Sequence, residues 1–274
     1  MDMIEILKAI LLGIVEGITE WLPISSTGHL ILLDEFLKLN ASQEFKELFF
    51  VVIQLGAIFA VITFYWKKLL PFSNEGKLHV KKDILSLWGK ILFACIPAAI
   101  IGLLLDDWID SLFYNYQTVS FTLILYGILF ILIENKTMDR TPKIKEVHQI
   151  DYRTALLIGI FQVLALIPGT SRSGATIIGA MLLGTSRVAA TEFTFYLAIP
   201  VMFGASLLKT AKLGLPGTSL EIAVLLTGTI VAFFVSILAI RFLTVYIKRH
   251  NFKVFGWYRI VLGVIVAAIF LFSK

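Results

Sequence analysis

Residues 23–28 read Pro-Ile-Ser-Ser-Thr-Gly, and residues 168–174 read Pro-Gly-Thr-Ser-Arg-Ser-Gly. Each stretch lies near the centre of an apolar segment, 4–37 and 155–184. Because proline and glycine break helices, neither segment can cross a membrane as one continuous helix. Non-helical backbone at membrane depth is tolerated only inside protein or beside a water-filled cavity. Both segments are therefore predicted to be re-entrant hairpins, each a helix, a loop and a second helix.

The composition indicates that the whole chain is a membrane protein. Of its 274 residues, 58% are hydrophobic and 16% are charged, whereas an ordinary soluble domain is about 45–50% apolar and about 25% charged. This composition excludes a disordered chain and an ordinary cytosolic enzyme. The net charge of +5 reflects basic loops, and no nucleic acid is expected as a partner. The single cysteine excludes an internal disulfide and a cysteine-cluster metal site.

Six other segments are apolar and long enough to cross a membrane as helices, which takes about 20 residues. They are 48–66, 84–105, 116–133, 193–208, 220–240 and 254–272. Two charged residues near span ends, Glu221 and Arg259, are expected to extend their side chains to the membrane surface. Arg187, just past the second hairpin, is expected to cap a helix or to extend to the surface.

The basic residues of the loops are distributed unequally between the two sides of these spans, 14 against 6. By the positive-inside rule the side with 14 is cytoplasmic, so both termini are predicted to be extracytoplasmic. Kinked spanning helices in place of the two hairpins would give eight crossings and destroy the alternation of charge. We therefore predict an all-α polytopic membrane protein with six transmembrane helices and two re-entrant helix-loop-helix hairpins.

The two hairpins also match each other in sequence. Residues 13–16 (Gly-Ile-Val-Glu) match 159–162 (Gly-Ile-Phe-Gln), and 25–28 (Ser-Ser-Thr-Gly) match 171–174 (Ser-Arg-Ser-Gly), both at an offset of 146. Each hairpin precedes three spans, and because three is odd the second unit starts from the opposite face. The sequence therefore predicts one integral membrane domain, 1–274, built as an inverted-topology repeat of about 1–135 and about 150–274. In such repeats the broken helices meet near the midplane and form a site there.

Two carboxylates lie in the first hairpin, Glu16 and Glu20, four residues apart and so on one face of a helix. Burying one acid in a membrane costs about 2.5–3.5 kcal/mol on insertion scales, so a cation must offset a buried pair. A divalent cation held through oxygen, Mg²⁺ or Ca²⁺, is the natural candidate. From the pair alone, an interfacial helix with two solvated acids is an equally good interpretation.

Hydroxyl groups and a histidine follow the first break: Ser25, Ser26, Thr27 and His29. The amino end of a helix beginning there would favour an anion, although any one hydroxyl is better explained as a helix cap. His29 titrates near neutral pH and can act as acid, base or nucleophile. Its position three residues past Ser26, with two carboxylates upstream, indicates a reactive site.

The second break contributes Arg172, between Ser171 and Ser173. An arginine at the centre of an otherwise uncharged segment is far from either membrane surface, so a surface-reaching role does not explain it. Bidentate binding of phosphate is what arginine does best. Two carboxylates, hydroxyls, a histidine and an arginine in one site suit phosphoryl transfer or hydrolysis, and they do not suit redox or acyl chemistry.

With these motifs the chain resembles the undecaprenyl-diphosphate phosphatase family, which is linked to bacitracin resistance. The resemblance rests on residues 16–29 (EGITEWLPISSTGH) and 168–176 (PGTSRSGAT), with weaker support from 51–56 and 192–195, and it runs the whole length of the chain. It implies hydrolysis of undecaprenyl diphosphate to undecaprenyl phosphate and inorganic phosphate, which recycles the lipid carrier of cell-wall synthesis. It also implies a multi-pass protein of the bacterial plasma membrane, a divalent-metal requirement and an active site open to the outer side.

The resemblance further implies roles for particular side chains. Glu16 and Glu20 would act as metal ligands or base, and Arg172 would hold the diphosphate. Ser26 or His29 would be the nucleophile or its partner; in one hypothesis Ser26, activated by His29, or a water attacks the terminal phosphorus. Further substrate-binding side chains are expected at Ser25, Thr27, Ser171, Ser173, Thr176 and Gln54.

A second class of function stays open at this point, because inverted repeats with re-entrant hairpins are also typical of transporters. The protein would then move polyprenyl phosphate across the membrane, with Glu16 and Glu20 coupling ions or protons. A structural scaffold would leave Arg172 and the acids unexplained. The sequence does not decide the nucleophile, the choice of Mg²⁺ or Ca²⁺, the lipid chain length or the oligomeric state, and a homodimer is compatible with it.

Overall fold

The computed structural model describes residues 2–73, 79–138 and 140–272, which fold into a bundle of helices. The first half contains α1 (Asp2–Thr19), α2 (Ser26–Leu37), α3 (Gln43–Phe64), α4 (Trp66–Leu69), α5 (Lys82–Phe113) and α6 (Tyr116–Thr137). The second half contains α7 (Tyr152–Val163), α8 (Arg172–Leu182), α9 (Arg187–Leu213), α10 (Ser219–Tyr246) and α11 (Lys253–Phe272). Short 3₁₀ turns lie at Val147–Gln149 and Leu164–Leu166, and two-residue strands β1 (Phe72–Ser73) and β2 (His79–Val80) pair antiparallel.

Among the described residues, six helices are long and apolar enough to cross a membrane: α3, α5, α6, α9, α10 and α11. The six predicted spans are thereby confirmed; most helices extend beyond them, whereas the span predicted at 48–66 ends two residues past α3, which stops at Phe64. The span predicted at 193–208, for example, is the middle of α9, which starts at Arg187 because Ser186 caps its amino end. Of the loop lysines used for orientation, Lys77 and Lys274 lie outside the described residues.

Both hairpins are broken at the same relative position. Ser25 has φ 74° and Ser171 has φ 72°, and these two serines correspond at the sequence offset of 146. A positive φ is uncommon for serine and costs on the order of 1–3 kcal/mol. The two side chains form matching caps: Ser25 Oγ accepts from the Gly28 amide at 3.2 Å, and Ser171 Oγ accepts from the Gly174 amide at 3.1 Å. The same backbone device therefore starts the second helix of each hairpin.

The helix packing follows the same correspondence. Helix α1 packs on α10, and α7 packs on α5, so each hairpin packs against a helix of the other half. A Cβ atom at Gly13 of α1 would lie 2.6 Å from the carbonyl oxygen of Gly228, and one at the corresponding Gly159 would collide with the carbonyl oxygen of Ala94. Only glycine permits these approaches. The exchange of partners between halves is what a pseudo-two-fold repeat requires, while the boundaries at about 1–135 and about 150–274 stay a prediction.

An ion pair ties the start of α9 to the end of α6. Arg187 donates through Nε and Nη2 to the carboxylate of Glu134 at 2.5–3.0 Å. Glu134 is 1% exposed and also accepts from the Phe252 amide at 2.8 Å. The expectation that Arg187 caps a helix or extends to the surface is wrong, because a buried carboxylate holds its guanidinium. Glu221, in contrast, accepts from the amides of Gly217 and Thr218 and caps α10.

Candidate active site

The acid pair of the first hairpin is buried. The Glu20 amide donates to the Glu16 carbonyl at 3.0 Å, so helical geometry continues through Glu20 and both acids lie on one face. Glu16 is 0% exposed and Glu20 is 7% exposed. The alternative of two solvated interfacial acids is therefore wrong. Both carboxylate oxygens of Glu16 are buried without a hydrogen-bond partner among the described residues.

Glu20 connects the two hairpins. Its Oε1 accepts from Arg172 Nη2 at 2.8 Å, and its Oε2 accepts from Ser26 Oγ at 2.8 Å. Arg172 also donates through Nη1 to the Thr194 carbonyl at 2.9 Å, and its guanidinium lies 5.8 Å from the centre of the Trp21 ring. Little water reaches this ion pair, because both side chains are about nine-tenths buried. A hydroxyl and a carboxylate of the first hairpin and a guanidinium of the second thus form one chain of hydrogen bonds.

His29 has different partners from those expected. Its Nδ1 lies 2.7 Å from the Ser25 carbonyl oxygen, which can only accept, so Nδ1 carries the proton. In the neutral ring Nε2 then accepts from the Tyr258 hydroxyl at 2.6 Å. The hydrogen bonds of the described residues include none between Ser26 and His29. The expected activation of Ser26 by His29 is therefore corrected: the Ser26 hydroxyl donates to Glu20 instead.

The remaining predicted substrate-binding side chains have mixed positions. Ser173 Oγ lies 3.3 Å from the Glu20 carbonyl oxygen and 3.2 Å from Ser171 Oγ, so both serines adjoin the cluster. Thr176 is 0% exposed and donates to the Arg172 carbonyl at 2.9 Å, so its hydroxyl is used within the helix packing. Thr27, in the first turn of α2, and Gln54, on α3, are partly exposed. Among the described residues, no hydrogen bond joins either of them to the cluster.

Arg259 of α11 is a member of the site that the sequence interpretation missed. It is 0% exposed, and its Nη2 donates to the carbonyls of Gly169 and Thr170 at 2.8 and 3.0 Å. Its Nη1 lies 3.4 Å from the Pro23 carbonyl, so one guanidinium contacts both broken loops. The expectation that Arg259 extends to the surface is wrong. The sequence does contain a signal for this role, since a charged residue within a membrane span marks a functional position by default.

The chemistry of the two carboxylates fits a divalent cation. The described residues contain no cluster of three or more histidine, cysteine or acidic side chains with metal-binding geometry. Mg²⁺, however, is commonly held by one or two carboxylates together with water and substrate phosphates. Both oxygens of Glu20 already accept hydrogen bonds, whereas both oxygens of Glu16 are buried and unpartnered. A hard cation would satisfy the carboxylate of Glu16.

Comparison with known proteins identifies the family. A model of the family described as "Bacitracin resistance protein BacA" matches residues 9–265. The chain is 63% identical over 272 residues to undecaprenyl-diphosphatase 1 of Clostridium acetobutylicum, with 99% of each chain covered. It is 59% identical over 271 residues to undecaprenyl-diphosphatase of Enterococcus faecalis, with 98% of each covered. A third relative, undecaprenyl-diphosphatase 1 of Clostridioides difficile, is 55% identical over 269 residues, with 98% of this chain and 97% of the relative covered.

All three relatives are named for a diphosphatase, so the transporter alternative gains no support from them. The family match runs from within α1 to within α11, and it includes Glu16, Glu20, Ser26 and Arg172. Both the matched region and the identities therefore cover the whole site. The chain belongs to the BacA family of bacitracin resistance proteins.

Proposed function

We propose that this protein hydrolyses undecaprenyl diphosphate to undecaprenyl phosphate and inorganic phosphate in the bacterial plasma membrane. The names of relatives at 55–63% identity support this activity. One geometric observation carries the chemistry: Glu20 lies between the Ser26 hydroxyl and the Arg172 guanidinium, 2.8 Å from each. A carboxylate that accepts from a hydroxyl is the arrangement that activates a nucleophile. An arginine beside it supplies the charge that a phosphate needs.

In the proposed mechanism Ser26 Oγ attacks the terminal phosphorus, and Glu20 takes the hydroxyl proton. The bond from the terminal phosphorus to the bridging oxygen breaks, and undecaprenyl phosphate leaves as the anion. Water then attacks the phosphorus of the phosphoserine, the Oγ–P bond breaks, and Ser26 regains a proton as inorganic phosphate departs. Glu20 exchanges the proton in both steps because its Oε2 is the hydrogen-bond partner of Ser26.

Arg172 binds the diphosphate in this proposal. Its Nε is buried without a partner among the described residues, while Nη1 and Nη2 contact Thr194 and Glu20. A phosphate oxygen that accepted from Nε would complete the pairing of the guanidinium. Ser171 and Ser173, on either side of Arg172, add hydroxyl groups at the same helix end, whose dipole favours negative charge.

Glu16, together with Glu20, would hold a divalent cation, Mg²⁺ or Ca²⁺. When bound, such an ion neutralises charge on the phosphates and polarises the phosphoryl oxygens. The support for this assignment is the pair of buried, unpartnered carboxylate oxygens of Glu16. The role of the carboxylate itself is to present two buried acceptors.

The location of the site favours a lipid substrate approached from within the bilayer. The polyprenyl tail would lie between helices while the diphosphate enters the pocket near the midplane. The excess of basic residues in one set of loops supports extracytoplasmic termini, and the family resemblance supports an active site open to the outer side. A homodimer stays a prediction for which the described contacts provide no test.

The decisive experiment measures phosphate release from a polyprenyl diphosphate by the purified protein in detergent, where no transmembrane gradient exists. We expect release by the wild type and a loss of about 10³-fold or more in Ser26→Ala. Arg172→Ala is expected to lose about 10²–10³-fold. Ser206→Ala is the matched control, since the Ser206 hydroxyl only donates to the Val51 carbonyl in the helix packing.

Each outcome has a defined meaning. Absence of release by well-folded wild type under any divalent ion would refute the proposed activity. Near-normal turnover by Ser26→Ala would leave the activity intact but exclude serine as the attacking group in favour of water. Equal losses in Ser26→Ala and Ser206→Ala would show that the effect arises from packing.

A further inference from the structure

A polar cavity lies away from the active site, at the ends of α6, α8 and α10 and the start of α9. Its volume is about 430 Å³. We call it the basic pocket, and its defining residues are Arg140, Lys143, Thr185, Arg187 and Lys248. Helix α8 separates it from the active site: Arg172 begins that helix and Leu182, which lines the pocket, ends it. Eleven residues of helix correspond to a distance of about 15 Å.

The charges of the basic pocket are not balanced. Arg187 is paired with Glu134. In the part of the chain that the structure describes, Arg140, Lys143 and Lys248 have no carboxylate within 4.0 Å and thus no ion pair. Three unpaired cations around one concave surface create a positive potential that concentrates anions. The pocket is therefore complementary to a group with negative charge.

Backbone hydrogen bonds hold the wall of the basic pocket in place. The amides of Lys143 and Ile144 donate to the Gly184 carbonyl at 2.9 and 3.1 Å, and the Ser186 amide donates to the Ile144 carbonyl at 2.7 Å. The loop that carries Arg140 and Lys143 is thereby fixed to the turn between α8 and α9. Thr185, in that turn, is 5% exposed, and its hydroxyl has no partner among the described residues. A pre-formed cationic pocket with an unsatisfied hydroxyl is suited to a phosphate.

The position of the basic pocket favours a phosphate that is attached to a lipid. Leu182, which lines it, is 43% exposed, and Met138, at the end of α6, is 58% exposed. These apolar side chains would contact acyl chains while the basic residues face the headgroup. The loops that contribute Arg140, Lys143 and Lys248 belong to the set with excess basic residues, predicted to be cytoplasmic. Basic pockets between transmembrane helices on that side bind anionic headgroups.

We infer that the basic pocket binds the phosphodiester headgroup of an anionic phospholipid. The ligand chemistry is a phosphate held by Arg140, Lys143 and Lys248, and free phosphate is the other source of that chemistry. This site differs from the diphosphate site in its residues and in its position at the opposite end of α8. It adds a lipid interaction that neither the hydrolysis nor its substrate requires.

The test uses the full chain, purified and delipidated in detergent, with binding measured by native mass spectrometry. The probes are short-chain phosphatidylglycerol, phosphatidylcholine of equal chain length, and sodium phosphate. The pocket variant combines Arg140→Gln, Lys143→Gln and Lys248→Gln. The control variant combines Lys67→Gln, Lys81→Gln and Lys82→Gln, which removes three exposed charges from another basic loop of the same predicted face. Thermal unfolding of each variant verifies folding.

We expect phosphatidylglycerol to bind the wild type more tightly than phosphatidylcholine. The pocket variant should bind it about 100-fold more weakly, because each basic residue at a membrane surface contributes about fivefold. The single change Lys143→Gln, expected to weaken binding about fivefold, provides the test if the triple variant does not fold. The control variant should change affinity by less than about threefold.

Three results would overturn the inference. Equal weakening by the pocket and control variants would mean that diffuse surface charge attracts the lipid. Equal affinity for the two phospholipids would mean that headgroup charge is not recognised. Binding of sodium phosphate that depends on the pocket residues, without a preference for phosphatidylglycerol, would assign the pocket to free phosphate.

Discussion

Replacing Arg259 with leucine tests the idea that one buried guanidinium holds both broken loops together. The variant loses two short hydrogen bonds, to the carbonyls of Gly169 and Thr170 at 2.8 and 3.0 Å, and longer contacts of 3.4 Å to Pro23 and Thr122. A hydrogen bond to a charged group is worth about 1.5–3 kcal/mol, so the two short ones amount to about 3–6 kcal/mol.

Leucine also removes a buried charge that no carboxylate compensates in the described residues, which returns part of that free energy. We therefore expect a net loss of about 2–4 kcal/mol in the free energy of unfolding. For a chain of this size the melting temperature should fall by about 5–15 °C. Displacement of the loops by about 1 Å should also lower kcat by about 10²-fold, with a smaller effect on KM.

The assay combines thermal unfolding in detergent with steady-state phosphate release. Arg249→Leu is the matched control, because Arg249 is exposed in the loop after α10. Arg259→Lys keeps the charge but lacks the planar fork that contacts both loops, so it should retain more stability than activity. An unchanged melting temperature and an unchanged kcat in Arg259→Leu would refute the positioning role.

Gly159→Ala should lower the free energy of unfolding by about 1–3 kcal/mol because its Cβ would collide with the backbone of α5; Gly204→Ala, which meets nothing within 4 Å, should be neutral or stabilising by thermal unfolding. Removal of divalent ions with a chelator should abolish phosphate release, and an activity that survives chelation would contradict the ion assignment. The variant Glu16→Gln should raise the Mg²⁺ concentration needed for half-maximal activity at least about tenfold. Tyr258→Phe removes the donor to His29 Nε2 and should cost about 0.5–1.5 kcal/mol in thermal unfolding, whereas no change would show that this contact contributes nothing.

The sequence predicts most of the architecture because its strongest signals are residues that are unfavourable inside a membrane-spanning helix: helix breakers and charges within apolar segments. Single prolines such as Pro97 of α5 and Pro200 of α9 lie inside continuous helices, whereas the clustered proline, glycine and serine residues at 23–28 and 168–174 mark the breaks that locate both hairpins. Charged residues at those breaks are costly unless paired, which explains why Glu16, Glu20 and Arg172 were found as candidates and why Glu20 and Arg172 contact each other.

The details that sequence could not predict depend on side-chain direction. Ser26 and His29 are close in the chain, and their spacing suggested a pair. The positive φ of Ser25 instead turns the backbone so that its carbonyl binds His29 while Ser26 donates to Glu20. The expectation for Arg259 fails for a related reason: its place near the start of a span indicates its depth along α11 but not that its side chain points toward the broken loops.

The matching serine caps begin two helices whose surroundings have different chemistry. Glu16 and Gln162 correspond at the offset of 146, and both are buried with unpartnered side-chain atoms. The two hairpins share this backbone device but differ in chemistry: the first carries two acids and the Ser26 hydroxyl, and the second carries an arginine and a neutral amide. Neither half alone contains the Ser26–Glu20–Arg172 chain of hydrogen bonds, so the site forms only when the two halves are together.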